Sequence, residues 1–241
     1  MESALDIIEK MNNEEKAVIA DILLEKGKLT ENLSGNAMFR ECHKTKTYSG
    51  CEELIASEIK CFGGNTIVNL LRGGGPTYHE IVCDVAKRLD VAVTSYDTVE
   101  SIETAILSKI VIKMWVNMTE SQKKDFLTAM NIKLKTDSGF KAEGMAAISA
   151  AFRYGGFYSY EIAVIVANAV TKFALGRGLS LAANAAITKC LSVVTGPLGI
   201  ALSTLWTVAD VTGPAYRVTI PIVIYIAALR KAYSSNADAG A

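Results

Sequence analysis

The 241-residue sequence contains few of the residues that mark fibrous, disordered or nucleic-acid-binding chains. Its 4 prolines and 18 scattered glycines exclude a collagen-like or low-complexity protein. Its 25 basic and 25 acidic side chains leave no net charge. Nucleic acids are held by basic surfaces, so we expect no nucleic-acid partner. The length suits one large domain or two modest ones, at about 100–200 residues per domain.

Signatures of catalysis and cofactor binding are missing as well. The chain has two histidines and no Gly-x-Ser-x-Gly nucleophile elbow. Gly73, Gly74 and Gly75 have the glycine content of a phosphate-binding loop. However, Pro76 stands where a Walker A loop requires lysine, and Tyr78 stands where a dinucleotide fingerprint requires glycine. We therefore predict a glycine turn between two helices and no cofactor, and an enzyme is the least supported class.

The five cysteines are irregularly spaced, which predicts free thiols in a reducing compartment rather than a disulfide framework. His79 and Cys83 lie four residues apart in a predicted helix and could face one ion. No Cys-x-x-Cys pair accompanies them, so we predict buried thiols and no metal site. The first residues show no secretory signal peptide, and we expect a cytoplasmic protein.

Residues 1–137 are predicted to form a soluble domain of amphipathic helices, joined to the rest of the chain by a linker at Lys135–Gly139. Four capping pairs mark helix starts. They are Asn12 with Glu15, Thr77 with Glu80, Asp97 with Glu100, and Thr119 with Gln122. Two apolar stripes have helical spacing. They are Tyr78, Ile81, Val82, Val85 and Leu89, then Val99, Ile102, Ile106, Ile110 and Met114. No period-two strand pattern interrupts the series, so the predicted fold class is all-α.

The second part of the chain, residues 138–233, has few charges. Residues 1–140 carry a net charge of −4, whereas residues 141–241 carry +4. The 68 residues from Ile162 to Leu229 include only five charged side chains. Small residues recur at helical spacing in this part, which lets helix backbones approach closely in membranes and in tightly packed bundles alike.

The apolar part is predicted to form a helical hairpin followed by a final apolar helix. The legs of the hairpin lie near Leu179–Thr195 and Leu198–Val211, because Gly196-Pro197 splits the uncharged run between them. The final helix is predicted to end at Tyr233, leaving residues 234–241 as a disordered tail.

One pair of charges in the apolar part is a candidate site. Asp210 and Arg217 flank a Gly213-Pro214 corner, and a charge drawn out of water needs a partner. The two could pair across the corner, or both could lie at its solvated end. Tyr216, beside Arg217, is a further candidate because of the motif described next.

Two blocks of sequence resemble a known family. The first contains Phe62-Gly63-Gly64-Asn65-Thr66-Ile67, Leu71-Arg72-Gly73, Tyr78, Asp84-Val85 and Lys87-Arg88-Leu89. The second contains Gly213, Ala215-Tyr216-Arg217-Val218-Thr219-Ile220-Pro221, Ile226-Ala227 and Leu229-Arg230. Together they resemble the YaaW-like family of uncharacterised bacterial proteins, sometimes labelled as related to ubiquinol–cytochrome c chaperones. The resemblance implies a helical bacterial protein and supplies no catalytic residues.

These observations lead to two functional hypotheses. The first is a non-enzymatic protein that lies on or inserts into the cytoplasmic membrane through its apolar hairpin, with membrane lipid as its partner and a stress or defence role. The second is a soluble helical bundle that binds a protein partner or self-associates, with the hairpin as its buried core.

Overall fold

In the computed structural model, helices are the regular secondary structure of the described residues, and no strand occurs among them. The described residues are 4–27, 32–64, 75–130, 144, 146, 150, 157–178, 185–206 and 215–239. The structure confirms the predicted all-α class. The described α-helices are α1 (Ala4–Lys10), α2 (Asn13–Gly27), α3 (Ala37–Thr45), α4 (Glu52–Gly63), α5 (Tyr78–Arg88), α6 (Val99–Val116), α7 (Glu120–Ala129), α8 (Phe157–Leu175), α9 (Ala185–Trp206) and α10 (Tyr216–Ala239). A 3₁₀ turn at Leu33–Gly35 precedes α3.

Three of the four predicted capping pairs form with reciprocal hydrogen bonds. They are Asn12–Glu15, Thr77–Glu80 and Thr119–Gln122. In each pair the first side chain accepts from the backbone N–H three residues on, and the second side chain accepts from the backbone N–H of the first. Two otherwise unsatisfied donors at the helix start are satisfied in this way.

The fourth capping prediction is wrong by one residue. Helix α6 begins at Val99, and the hydroxyl of Thr98 accepts from the N–H of Ser101 at 3.2 Å. The carboxylate of Asp97 instead accepts from the N–H and the hydroxyl of Thr94, at 2.7 and 2.9 Å. These local bonds hold Asp97 in the preceding turn, so the next hydroxyl takes the capping position.

Contacts between Cα atoms group the chain into two compact units. The first contains Met1–Ile102 and Val208–Val223, and the second contains Glu103–Thr207 and Ile224–Ala241. These units do not follow the sequence boundary at residue 137, which lies with the predicted linker outside the described residues. An independently folding domain of residues 1–137 stays a prediction.

The first unit is organised around α4, which packs against α1, α2 and α5. The predicted α5 stripe is buried over its whole length, and it joins apolar side chains of the other three helices in the core. Those side chains include Ile7, Ile8, Ile19, Leu23, Ile55 and Ile59. Ile19 and Leu23 of α2 are four residues apart, as are Ile55 and Ile59 of α4, so each pair lies on one face of its helix. Packing of these faces explains why short helices are held here.

The second unit contains α9 packed against α7 and α8. Trp115 of α6 is 2% exposed and lies edge-on to Phe126 of α7, with ring centroids 6.4 Å apart. The ammonium group of Lys123 lies 5.8 Å from the centroid of the same ring. The ring leaves no space for a Cβ at Gly144. A large aromatic side chain therefore fixes the packing at this point of the unit.

One ion pair is buried in the second unit. Arg230 of α10 donates through Nε to an Oε2 oxygen of Glu103 in α6 at 2.7 Å, and the side chains are 9% and 2% exposed. Removing one member of such a pair strands a charge away from water, which is far costlier than losing a surface pair.

The apolar helices differ from the predicted hairpin. The turn that follows α8 begins at Gly176, whose φ is +69°, whereas Gly196 and Pro197 lie inside the continuous helix α9. The predicted legs at Leu179–Thr195 and Leu198–Val211 are therefore wrong, and the packed pair of apolar helices is α8 and α9.

Burial explains why α9 continues through its proline. The side chains at Cys190, Val194, Leu198 and Ala201 form one buried stripe that runs across Pro197. Proline removes one hydrogen-bond donor from a helix and crowds the preceding turn, at a cost of about 3 kcal/mol. Burial of Val194 and Leu198, at about 1.5–3 kcal/mol for each side chain, offsets that cost.

Two further helices account for the low charge of residues 138–233. Residues 161–171 of α8 and 218–230 of α10 are buried on all sides. Helix α10 also continues to Ala239, so the predicted helix end at Tyr233 and the disordered tail are wrong for residues 234–239. No glycine or proline lies within residues 222–239, and Ser234 donates its hydroxyl back to the Arg230 carbonyl at 2.7 Å. Among the described residues, no helix combines the length and apolar character that crossing a membrane requires.

The capping box of α5 gives a first prediction. We expect Thr77→Ala to lower the free energy of unfolding by about 0.5–2 kcal/mol, because two hydrogen bonds at the helix start are lost. The control is Thr128→Ala. This change removes an exposed hydroxyl that donates to the Lys124 carbonyl in the last turn of α7 and caps no helix start. That change should stay within about 0.5 kcal/mol of the parent in urea unfolding. Equal effects of the two changes would contradict a capping role.

The buried ion pair gives a second prediction. We expect Glu103→Ala to cost about 3–5 kcal/mol, and the double change Glu103→Leu with Arg230→Met to recover most of that loss. Lys87→Ala, which breaks a surface pair with Asp84, should change stability by less than about 1 kcal/mol. Urea unfolding of the parent, Glu103→Leu, Arg230→Met and the double variant measures this coupling, and additive effects would show that the two charges act independently.

Candidate functional site

The two sequence blocks that resemble a known family meet in the first unit. The N–H of Ala215 donates to the carbonyl of Phe62 at 2.9 Å, which ties the start of α10 to the end of α4. The guanidinium carbon of Arg88, at the end of α5, lies 5.4 Å from the centroid of the Tyr216 ring. We call this cluster, together with Gly75 and Arg217, the motif junction. It brings together residues about 150 positions apart in the sequence.

Gly75 allows close backbone contact at the motif junction. A Cβ on Gly75 would overlap the carbonyl group of Lys60 in α4. Gly63, in the last turn of α4, is similar, since its Cβ would lie 2.6 Å from Cδ1 of Ile81. The predicted role of Gly75 in a turn between helices is therefore steric, because no side chain fits there. Gly73 and Gly74 lie outside the described residues.

Arg217 binds the end of a helix. Its Nε donates to the backbone carbonyl of Lys26 at 2.8 Å, in the last turn of α2. The last carbonyls of a helix lack partners within it and carry its partial negative charge, so a guanidinium group stabilises them. The predicted partner Asp210 lies outside the described residues, and that pairing stays a prediction.

The cysteines differ from the sequence prediction. Cys42 and Cys51 form a disulfide that links the last turn of α3 to the start of α4, whereas the sequence predicts two free thiols.

His79 and Cys83 do face each other, with 3.7 Å between Nδ1 of His79 and Sγ of Cys83. Burial raises the pKa of the Cys83 thiol, so it is not an activated nucleophile. Within the described ranges, no group of three or more potential ligands could hold a metal ion.

A polar network in the first unit was missed by the sequence analysis. Nδ1 of His43 lies 2.7 Å from the hydroxyl of Tyr48, and Nε2 of His43 lies 3.7 Å from Oδ1 of Asp21. Burial and the nearby Lys46 lower the pKa of His43, and burial raises the pKa of Tyr48 to about 12. Near pH 7 the imidazole of His43 and the phenol of Tyr48 are therefore both uncharged. Asp21 comes from α2, so no local sequence pattern could have identified it.

An apolar surface lies on the second unit. Phe173 of α8 and Ile200 of α9 are 43% and 58% exposed, although both side chains are large and apolar. Phe173 lies beside α9, since a Cβ placed on Gly199 would make an ordinary contact with its ring at 3.9 Å. Gly196 and Ser203 are exposed on the same face of α9 as Ile200. We call Phe173, Gly196, Ile200 and Ser203 the α8–α9 patch.

The close contact at Gly75 gives a third prediction. We expect Gly75→Ala to lower the free energy of unfolding by about 1–3 kcal/mol, because the new methyl group overlaps rigid backbone of α4. Gly35→Ala is the matched control, since no atom lies within 4 Å of a Cβ placed there. It should change stability by less than about 0.5 kcal/mol in the same urea titration. A Gly75→Ala protein as stable as its control would refute the close contact.

Comparison with known proteins assigns the chain to a family. The sequence model of the family described as Ubiquinol-cytochrome C chaperone matches residues 47–224, which include the first block and the second block as far as Pro221. A "UPF0174 protein" of Helicobacter pylori J99 is 42% identical over 192 residues, 79% of this chain and 76% of the relative. "UPF0174 protein YaaW" of Escherichia coli K12 is 31% identical over 240 residues, 98% of this chain and 96% of the relative. No solved structure matches significantly. The chain therefore belongs to the ubiquinol-cytochrome C chaperone family and to the UPF0174 proteins.

Proposed function

We propose that the chain binds a protein partner and assists that partner's assembly. The observation that carries the proposal is the family match over residues 47–224, because the family is described as a chaperone. A chaperone of this kind needs a surface that recognises a partner, and the α8–α9 patch offers one.

The α8–α9 patch suits an apolar helix of a partner protein. Phe173 and Ile200 can enter a partner's apolar face, because exposed large apolar side chains that lie close together commonly mark binding sites. Gly196 and Ser203 are small, so no long side chain protrudes from α9 at these two positions. A partner helix can therefore approach the backbone of α9 closely. Both helices of the patch are held by the packing of α9 against α7 and α8, so the surface is preformed.

Membrane association is the alternative proposal for the same surface. The low charge of residues 138–233 suggested it, and Phe173 with Ile200 could enter the interface of a bilayer. Much of this low-charge sequence is buried inside the fold at residues 161–171 and 218–230. The apolar composition therefore has an explanation within the protein, which favours the partner proposal over the lipid proposal.

The partner proposal gives a fourth prediction. With a photo-cross-linking benzoylphenylalanine in place of Ile200, the full chain in its native host should cross-link to one discrete protein. The same substitution at Tyr96, which is 94% exposed, is the control and should give no such product. Phe173→Ser should abolish the product, whereas Val116→Ser, which removes another exposed apolar side chain, should retain it. Cross-linking to a second copy of this chain, or equal products at both positions, would contradict the proposal.

Two further measurements separate binding from assembly and from lipid association. In cells that lack the protein, the complex that contains the cross-linked partner should be depleted on native gels. Val116→Ser should restore it and Phe173→Ser should not. The purified chain should stay at the bottom of a gradient with vesicles of Escherichia coli polar lipids. An intact complex in the deletion strain would refute the assembly role, and flotation that depends on Phe173 would favour the membrane alternative.

A further inference from the structure

A cavity of about 560 Å³ opens in the first unit between α2 and the segment from Ser34 to Lys44. This volume falls within the range of small-molecule sites, about 300–1,000 Å³. Leu24, Ala37 and Phe39 contribute apolar surface, and Arg40 and Lys44 contribute cationic groups. The cavity therefore combines an apolar wall with positive charge on one helix.

Arg40 and Lys44 form a pair of like charges beside the cavity. They are four residues apart on α3, so they lie on the same face, where like charges destabilise a helix. Neither cation has a carboxylate within ion-pair distance among the described residues. Nη1 of Arg40 donates to the carbonyls of Ser34 and Gly35 at 3.1 and 3.3 Å, which holds the guanidinium beside the cavity. Among the described residues, the other donors of the guanidinium have no hydrogen-bond partner.

The remaining polar groups of the cavity do not cancel this charge. Glu41 also lines it, so Arg40, Lys44 and Glu41 carry a net charge of +1. His43 presents a ring that stacks on Phe39, with centroids 5.9 Å apart and planes 11° from parallel. Its two nitrogens face Tyr48 and Asp21 at 2.7 and 3.7 Å, so the imidazole forms a fixed wall and adds no donor toward a ligand. A single negative charge is the matching complement.

We propose that this cavity binds a small organic monocarboxylate with an apolar body. The carboxylate lies between Arg40 and Lys44, and the body packs against Leu24, Ala37 and Phe39. A guanidinium group presents paired donors that match a carboxylate, and the ammonium group adds a second charge-assisted hydrogen bond. The inference is independent of the proposed partner binding, because it uses none of the residues of the α8–α9 patch.

The test uses three probes with one apolar tail and different head groups: octanoate, octanol and octylammonium, each below its micelle concentration. Titration calorimetry of the full chain at low salt should show saturable binding of octanoate. Octanol and octylammonium should bind at least about tenfold more weakly, because neither can accept charge-assisted hydrogen bonds as a carboxylate does. Equal binding of octanol would show an apolar cleft without an anion site and would overturn the proposal. Absence of octanoate binding would overturn it as well.

Variants then locate the site. Lys44→Gln and Arg40→Gln should each weaken octanoate binding about tenfold, and Lys124→Gln, which removes an exposed lysine of α7, should leave it unchanged. Arg40 also bonds the 3₁₀ turn, so Lys44→Gln is the variant that reports charge alone. Ala37→Phe, which fills the cavity, should abolish binding while thermal unfolding shows an intact fold. Octanoate binding that survives Ala37→Phe, or that falls equally with Lys124→Gln, would overturn the proposal.

Discussion

The first unit depends on the tie between the start of α10 and the ends of two earlier helices. Residues 208–223 belong to this unit although they lie more than 100 positions after its other segment. The tie consists of two backbone carbonyls, one on Phe62 and one on Lys26, which accept from the N–H of Ala215 and from Arg217. Carbonyls at helix ends lack donor partners within their own helices, so they are natural anchors for a distant segment. The family resemblance is concentrated where this tie is made.

The second unit depends instead on the burial of groups that are seldom buried. Glu103 and Arg230 form an ion pair away from water. The side chain of Lys123 is only 7% exposed, and its ammonium group lies against the Trp115 ring. Each of these contacts is specific in direction, whereas the apolar packing of α8 against α9 is not. A few oriented contacts can therefore define one arrangement of the apolar helices in this unit.

The two proposed binding surfaces have different chemistry because they are built from different parts of their helices. The α8–α9 patch is a convex pair of apolar side chains beside small residues, which suits a macromolecular partner. The cavity beside α3 is concave and cationic, which suits a small anion. The disulfide between Cys42 and Cys51 and the hydrogen bond between His43 and Tyr48 hold the end of α3, so the cavity wall is fixed before any ligand arrives. Preorganisation of this kind reduces the entropy lost on binding.

The sequence by itself determined the all-α class, three of four helix caps and the two buried stripes of α5 and α6, because each depends on residues within one or two helical turns. It misplaced the apolar helix pair, because the local signal of Gly196-Pro197 was weaker than the buried stripe from Cys190 to Ala201, which only packing creates. Only the tertiary structure decided that Arg217 binds the carbonyl of Lys26, that Glu103 pairs with Arg230, and that Asp21 faces His43. These partners lie on different helices, and no periodicity within one helix specifies which distant side chain will meet it.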